Sequence, residues 1–149
     1  MQWLMDIPPV PWWIGLSLGA AVAHIVAATI PVRSRPRRLT LINPFADRIE
    51  LSRQRGFSLK DQWPLRPVEP FAAQCMKVDL VLSRFDERIP WSHGVRLQEC
   101  YRATDVRLLS LEADHALTTP AIQVDLANWL LEVQPCWTSL LGSPGEECC

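Results

Sequence analysis

The residue types needed for hydrolytic chemistry lie close together in the second half of the chain. Ser92 and His93 are adjacent, and Asp86 and Glu87 come shortly before them. A hydroxyl nucleophile, an imidazole base and a carboxylate are the groups of a Ser–His–Asp triad. Because a triad needs a fold to bring its members together, adjacent Ser and His are more typical of a surface loop opened by Pro90. We identify no serine elbow of the G-x-S-x-G form, and we predict no catalytic residues.

The cysteines and histidines form no local metal-binding pattern. The five cysteines include no C-x-x-C pair, so neither a zinc site nor a disulfide framework is indicated. A zinc site would have to gather its ligands from distant positions: Cys75, Cys100, Cys136, His93 and His115. The sequence has no glycine-rich phosphate loop and no dinucleotide fingerprint. We therefore predict no metal and no cofactor.

An uninterrupted apolar segment lies near the beginning of the chain. Trp12–Val32 contains no Asp, Glu, Lys or Arg, and about 20 such residues are needed to span the core of a bilayer. The two tryptophans that begin it suit the headgroup level. A cluster of arginines follows at once: Arg33, Arg35, Arg37 and Arg38. This pattern predicts a transmembrane helix over 12–32, with the arginines setting its topology and contacting anionic headgroups.

The distribution of basic residues predicts the orientation of this helix. No Lys or Arg precedes the segment, so the positive-inside rule places the N-terminus outside and the bulk of the chain in the cytoplasm, as in a bacterial inner-membrane protein. A cleaved signal peptide would need a basic region before the apolar segment. A helix buried in the core of a soluble protein stays open, because glycine, serine and His24 dilute the hydrophobicity.

Small residues recur at every fourth position within the predicted span. Gly15, Gly19, Ala23 and Ala27 would form one flat strip on a helix. Such a strip lets two membrane helices approach closely. His24 would lie beside the strip, and polar side chains in membranes usually face protein rather than lipid. We predict that these five residues form a helix–helix interface with a second copy of the chain or with another membrane protein.

The rest of the chain predicts a small α+β domain of a few short strands and one amphipathic helix. Short apolar or alternating runs indicate the strands: 39–42, 48–52, 76–85, 96–100 and 106–113. The helix is Pro120–Gln134, with Thr119 as its N-cap. The predicted organisation is a Pro-rich outer arm, a transmembrane helix, a basic flank, a cytoplasmic domain and a flexible tail: 1–11, 12–32, 33–38, 39–141 and 142–149.

Composition narrows the function without identifying it. A net charge of -1 gives no general attraction to nucleic acid. We predict a single-pass, membrane-anchored accessory or assembly protein without enzymatic activity. Its predicted partners are membrane lipid, itself or another membrane protein, and a soluble cytoplasmic protein. Two alternatives stay open: a small membrane-tethered hydrolase or thiol enzyme using Ser92, His93 or a cysteine, and a soluble or uncharacterised small protein whose N-terminal helix lies in the core.

Overall fold

Four parallel strands form one sheet within the described part of the chain. The computed structural model describes residues 11–56, 76–101 and 105–132. The strands lie side by side in chain order: β1 (Trp12–Leu16), β2 (Arg38–Ile42), β3 (Lys77–Ser83) and β4 (Val106–Leu111). A helix follows each strand: α1 (Leu18–Thr29), α2 (Arg48–Arg55), α3 (Trp91–Cys100) and α4 (Pro120–Glu132). The domain is therefore α/β with a parallel sheet, and the predicted α+β class is wrong.

Different helices cover the two faces of the sheet. On one face, alternate residues of β2 and β3 pack in a buried cluster with α1 and α3: Leu39, Leu41, Val78, Leu80, Ala20, Ala27 and Leu97. On the other face, the intervening residues pack with α4: Ile42, Val81, Leu111 and Leu126. A strand buried on both faces needs a nearly continuous apolar run. Most of β2 and β3 is apolar, and the polar residues that interrupt them on the α4 face are buried as hydrogen-bonded partners of one another, so both strands can lie in the middle of the sheet.

The apolar segment 12–32 does not form one long helix. Its first part is β1, Ser17 makes a turn, and α1 has only 12 residues. No helix in the described ranges is both long and apolar enough to cross a bilayer. This finding contradicts the transmembrane helix, the single-pass topology and the inner-membrane location predicted above. An apolar strand followed directly by a helix that packs on the sheet has the same uninterrupted apolar composition as a membrane span, and this caused the error.

The small residues at every fourth position do not share one helix face. Gly15 lies in β1, whereas Gly19, Ala23 and Ala27 lie in α1. Ala27 is buried against the sheet, Ala23 packs at the edge of the same cluster, and Gly19 is exposed. The alanines thus let α1 approach its own sheet closely. The predicted interface required all four residues on one membrane helix, and the structure contradicts that requirement.

The four arginines after this segment occupy different environments. Arg33 and Arg37 are exposed. Arg35 donates from Nε to the carbonyl oxygen of Ile30 at 3.4 Å, and Arg38 is buried at the start of β2. A contact of these residues with lipid headgroups stays a prediction.

A buried charged cluster joins three strands on the α4 face. Asp79 of β3 is 1% exposed, and its Oδ2 accepts hydrogen bonds from Arg38 Nε at 2.5 Å and Thr40 Oγ1 at 2.9 Å. Its Oδ1 accepts from Arg107 Nε and Nη2 at 3.0 and 2.8 Å. The Arg38 guanidinium lies 4.5 Å from the ring centroid of Trp12. A buried carboxylate needs such partners, because removal from water is otherwise very costly.

Two segments predicted as strands are helical. Residues 48–52 lie in α2 and residues 96–100 lie in α3. Asp47 caps α2, since its Oδ1 accepts from the N–H groups of Ile49 and Glu50 at 2.8 and 3.1 Å. The helix predicted to begin at Pro120 is observed. The outer arm as far as residue 10, and the tail at 142–149, lie outside the described residues.

His24 lies on the buried side of α1, in the core of the domain. Its Nδ1 is hydrogen-bonded to the hydroxyl of Tyr101, a fully buried residue at the end of α3. Burial lowers the pKa of His24 from 6.5 to about 4. Burial also raises the pKa of Tyr101, so the hydroxyl stays protonated and donates the hydrogen bond to the imidazole.

We expect the free energy of unfolding to decrease as the pH is lowered from 6.5 towards 4. In that window His24 of the unfolded chain takes up a proton, whereas the folded protein keeps the imidazole neutral until its pKa of about 4. The loss attributable to His24 should approach about 3 kcal/mol at pH 4. Urea unfolding between pH 7 and pH 4 measures it, and His24→Gln should show a correspondingly smaller loss. Equal pH dependence in both proteins would contradict this account.

Candidate active site

A sharp turn at Ser17 joins β1 directly to α1. Ser17 has φ 54° and ψ −117°, in a region of backbone conformation that residues other than glycine rarely adopt. Its N–H donates to the carbonyl oxygen of Ile42 at 2.8 Å, which fixes the turn to the end of β2. Strained backbone of this kind is often found at functional sites.

The hydroxyl of Ser17 is hydrogen-bonded to a histidine, which is in turn hydrogen-bonded to a carboxylate. His115 Nε2 lies 2.9 Å from Ser17 Oγ, and His115 Nδ1 lies 2.7 Å from Asp86 Oδ2. His115 is 6% exposed and the Asp86 side chain 3% exposed. A serine before a helix usually caps it with its hydroxyl, yet Ser17 makes no such bond. The three side chains therefore have the connectivity of a Ser–His–Asp triad.

Loops after β3 and β4 hold the carboxylate and the imidazole. Asp86 Oδ1 accepts hydrogen bonds from the N–H groups of Arg88 and Ile89, both at 2.7 Å, which leaves Oδ2 for the imidazole. The N–H of His115 also lies 3.4 Å from Glu87 Oε2. The triad residues follow β1, β3 and β4. Because the carboxyl ends of parallel strands lie at the same edge of a sheet, the fold brings the three residues together there.

Gly15 and Gly19 flank the serine in a G-x-S-x-G pattern, spelled GLSLG. A Cβ on Gly15 would lie 2.6 Å from Ala20 Cα and 2.6 Å from the carbonyl oxygen of Gly19, so only glycine lets the strand and helix meet this closely. This is the nucleophile-elbow pattern, a serine on a strained strand-to-helix turn. The prediction that the sequence holds no serine elbow is wrong, and the motif was the signal that could have identified Ser17.

The backbone N–H of Leu18 is the candidate donor for negative charge that develops beside Ser17. It belongs to the first turn of α1, where N–H groups have no acceptor within the helix. Among the described residues no backbone acceptor contacts it. The positive end of the helix dipole lies at the same place. The residue after an elbow serine commonly supplies one donor of an oxyanion hole, and Leu18 has this position.

The serine and histidine singled out from the sequence lie elsewhere. Ser92 is exposed near the start of α3, and His93 is buried beside it. His93 Nδ1 accepts from the N–H of Ala46 at 3.2 Å, and burial lowers the pKa of His93. Asp86, considered as their partner, instead binds His115. The pairing had no local sequence signal, because it depends on the order of the strands.

The prediction that the protein binds no metal stays a prediction. Cys75 and Cys136 lie outside the described residues. Within the described ranges no group of three or more His, Cys, Asp or Glu side chains is arranged to hold a metal ion. Of the distant candidate ligands, His115 is hydrogen-bonded within the triad, and His93 accepts a hydrogen bond from the N–H of Ala46.

We expect Gly15→Ala to destabilise the protein and Gly19→Ala to be tolerated. A Cβ at position 15 would overlap backbone atoms, and overpacking of this kind costs about 1–3 kcal/mol. A Cβ at position 19 meets nothing within 4 Å, and alanine favours the helix over glycine by up to about 1 kcal/mol. Urea unfolding of the two variants measures the difference. Equal effects would contradict the close strand-to-helix contact.

Solved structures resemble this fold, although no family model and no curated protein matches the sequence. Est1E from Butyrivibrio proteoclasticus matches with 19% identity and a TM-score of 0.56, over 81% of this chain and 60% of that chain. An esterase from Pyrococcus furiosus matches with 18% identity and a TM-score of 0.57, over 89% and 56%. The esterase domain of a Rhodothermus marinus protein matches with 18% identity and a TM-score of 0.57, over 80% and 57%.

These comparisons bear on the fold and on the earlier prediction of function. The chain spans between 56% and 60% of the length of these three structures. They contradict the predicted membrane accessory protein without enzymatic activity, and they agree better with the hydrolase alternative. The parallel sheet and its helices match the α/β hydrolase fold.

Proposed function

We propose that this protein is a serine hydrolase that cleaves carboxylic esters. The observation that carries the proposal is the continuous hydrogen-bonded connection from Ser17 Oγ through His115 to Asp86. The chain order Ser, Asp, His is the order of triads on the α/β hydrolase fold. Two of the similar structures are named as esterases, and their names support the same reaction class.

The orientation of the imidazole suits it to act as a general base. With the Nδ1 proton directed to Asp86, the lone pair of Nε2 faces Ser17 Oγ at 2.9 Å. The carboxylate holds this tautomer and stabilises the imidazolium once it forms. The Asp86 carboxylate is itself held by two backbone N–H groups, so it is fixed before substrate binds.

His115 can accept or donate the proton at each step of ester cleavage. Ser17 Oγ bonds to the acyl carbon while His115 Nε2 takes the hydroxyl proton, and Leu18 N–H stabilises the developing oxyanion. The ester C–O bond then breaks, and the leaving alkoxide takes the proton from Nε2. A water molecule next attacks the acyl-serine, His115 again takes a proton, and the Ser17 oxygen leaves with it. The products are an alcohol and a carboxylic acid.

Exposed apolar side chains adjoin two of the triad residues in sequence. Leu18, directly after the nucleophile, and Phe85, directly before the carboxylate, are both exposed apolar residues. Exposed apolar side chains beside a site can bind the hydrocarbon part of a ligand. A short-chain uncharged ester such as p-nitrophenyl butyrate is therefore an appropriate first substrate.

We expect Ser17→Ala to lower kcat for p-nitrophenyl butyrate by about a thousandfold or more, because removal of a triad nucleophile removes the covalent route. Ser92→Ala is the matched control, since Ser92 is an exposed serine outside the triad, and it should leave kcat unchanged. Steady-state kinetics of the purified 149-residue chain provide the test. A folded wild-type protein that hydrolyses a panel of esters no faster than Ser17→Ala would contradict the proposal.

A further inference from the structure

Asn43 lies at the end of β2, between the loops that carry the histidine and the carboxylate. It is 2% exposed and has φ 45°, a backbone conformation that asparagine tolerates better than most residues. Its N–H donates to the carbonyl oxygen of Val81 at 2.8 Å. This bond ties its backbone to β3 and does not involve the side chain.

The carboxamide of Asn43 makes one hydrogen bond from each end. Its Nδ2 donates to the carbonyl oxygen of His115 at 2.9 Å, and its Oδ1 accepts from the N–H of Ser83 at 2.8 Å. Ser83 is the last residue of β3, shortly before Asp86. A single buried side chain thus links the backbone of the histidine to the strand that leads to the carboxylate.

The neighbouring residue holds the nucleophile at the same place. The carbonyl oxygen of Ile42 accepts the N–H of Ser17 at 2.8 Å. The dipeptide Ile42–Asn43 therefore contacts the serine turn through its main chain and the histidine loop through a side chain. Any displacement of the histidine loop relative to β2 would change the distance between His115 Nε2 and Ser17 Oγ.

We propose that Asn43 is a positioning residue for the triad, whose carboxamide fixes His115 against Ser17 and Asp86. This inference rests on the proposed hydrolase function, and Asn43 itself touches no reacting atom. The position requires a donor at one end and an acceptor at the other, which a carboxamide has. Ionised aspartate keeps the acceptor for Ser83 but has no donor for the His115 carbonyl.

Two variants and one control separate positioning from stability. Asn43→Gly removes the side chain and adopts φ 45° without strain, whereas Asn43→Asp keeps the size of the side chain. Thr40→Val is the control: Thr40 is buried in the same strand and donates to Asp79, but it makes no bond to the triad. Loss of the Thr40 hydroxyl should lower the melting temperature and leave kcat within about twofold of wild type.

We expect both Asn43 variants to lower kcat for p-nitrophenyl butyrate by about 10- to 100-fold with KM changed by less than about twofold, because a small misplacement of a reacting group slows the chemical step. The fluorophosphonate labelling rate of Ser17 should decrease in parallel. Asn43→Asp decides the test if the glycine variant fails to fold. A kcat equal to that of wild type in a folded Asn43 variant would overturn the proposal.

The proton between His115 Nδ1 and Asp86 Oδ2 gives a readout that does not depend on turnover. A proton in a short imidazole–carboxylate hydrogen bond resonates far downfield in a ¹H NMR spectrum, and the distance here is 2.7 Å. We expect this resonance in wild type and in Thr40→Val, and its loss in Asn43→Gly. If wild type shows the resonance but cleaves no ester, the proposed function fails, and the variant spectrum still decides the role of Asn43. An unchanged resonance in Asn43→Gly would overturn the positioning role of Asn43.

Discussion

The strained turn at Ser17 is the constraint on which the candidate site depends. One residue joins a strand to a helix, so Gly15 must approach the backbone of α1 closely and the turn must be held from outside. A residue in such a conformation costs about 1–3 kcal/mol and persists only where its surroundings fix it. Here the hydrogen bond to Ile42 and the packing of α1 on the sheet provide that support. Relaxation of the turn would take the hydroxyl away from His115.

The parallel sheet brings segments that are distant in sequence to this turn. Ser17 and His115 are 98 positions apart and hydrogen-bonded, because β1 and β4 both end at the same edge. The buried carboxylate of Asp79, paired with Arg38 and Arg107, joins β2, β3 and β4 below that edge. A buried charge is tolerated only while it is paired, so this cluster disfavours any strand register that would separate its members. The cluster therefore helps to hold the strands in register below the edge at which the triad residues lie.

The sequence predicted local elements better than their arrangement. Apolar runs marked the positions of β2, β3 and β4, and the Thr-Pro start of α4 was recognisable. The segment 12–32 was misassigned, because hydropathy summed over a window cannot distinguish an apolar strand, a turn and a packed helix from one membrane helix. The GLSLG motif was present and could have identified Ser17. The pairing of Asp86 with His115 and the role of Asn43 were beyond sequence alone, since both follow from which strands are neighbours.

The most direct test of the account is to locate the reactive serine by mass spectrometry. The full chain would be treated with a fluorophosphonate, which modifies serines activated by a neighbouring base, and digested to map the adduct. The account predicts one adduct, on Ser17, in the native protein and none after denaturation in urea, because the activating contact with His115 exists only in the folded state. No adduct above the denatured control, or an adduct on a different serine such as Ser92, would contradict it.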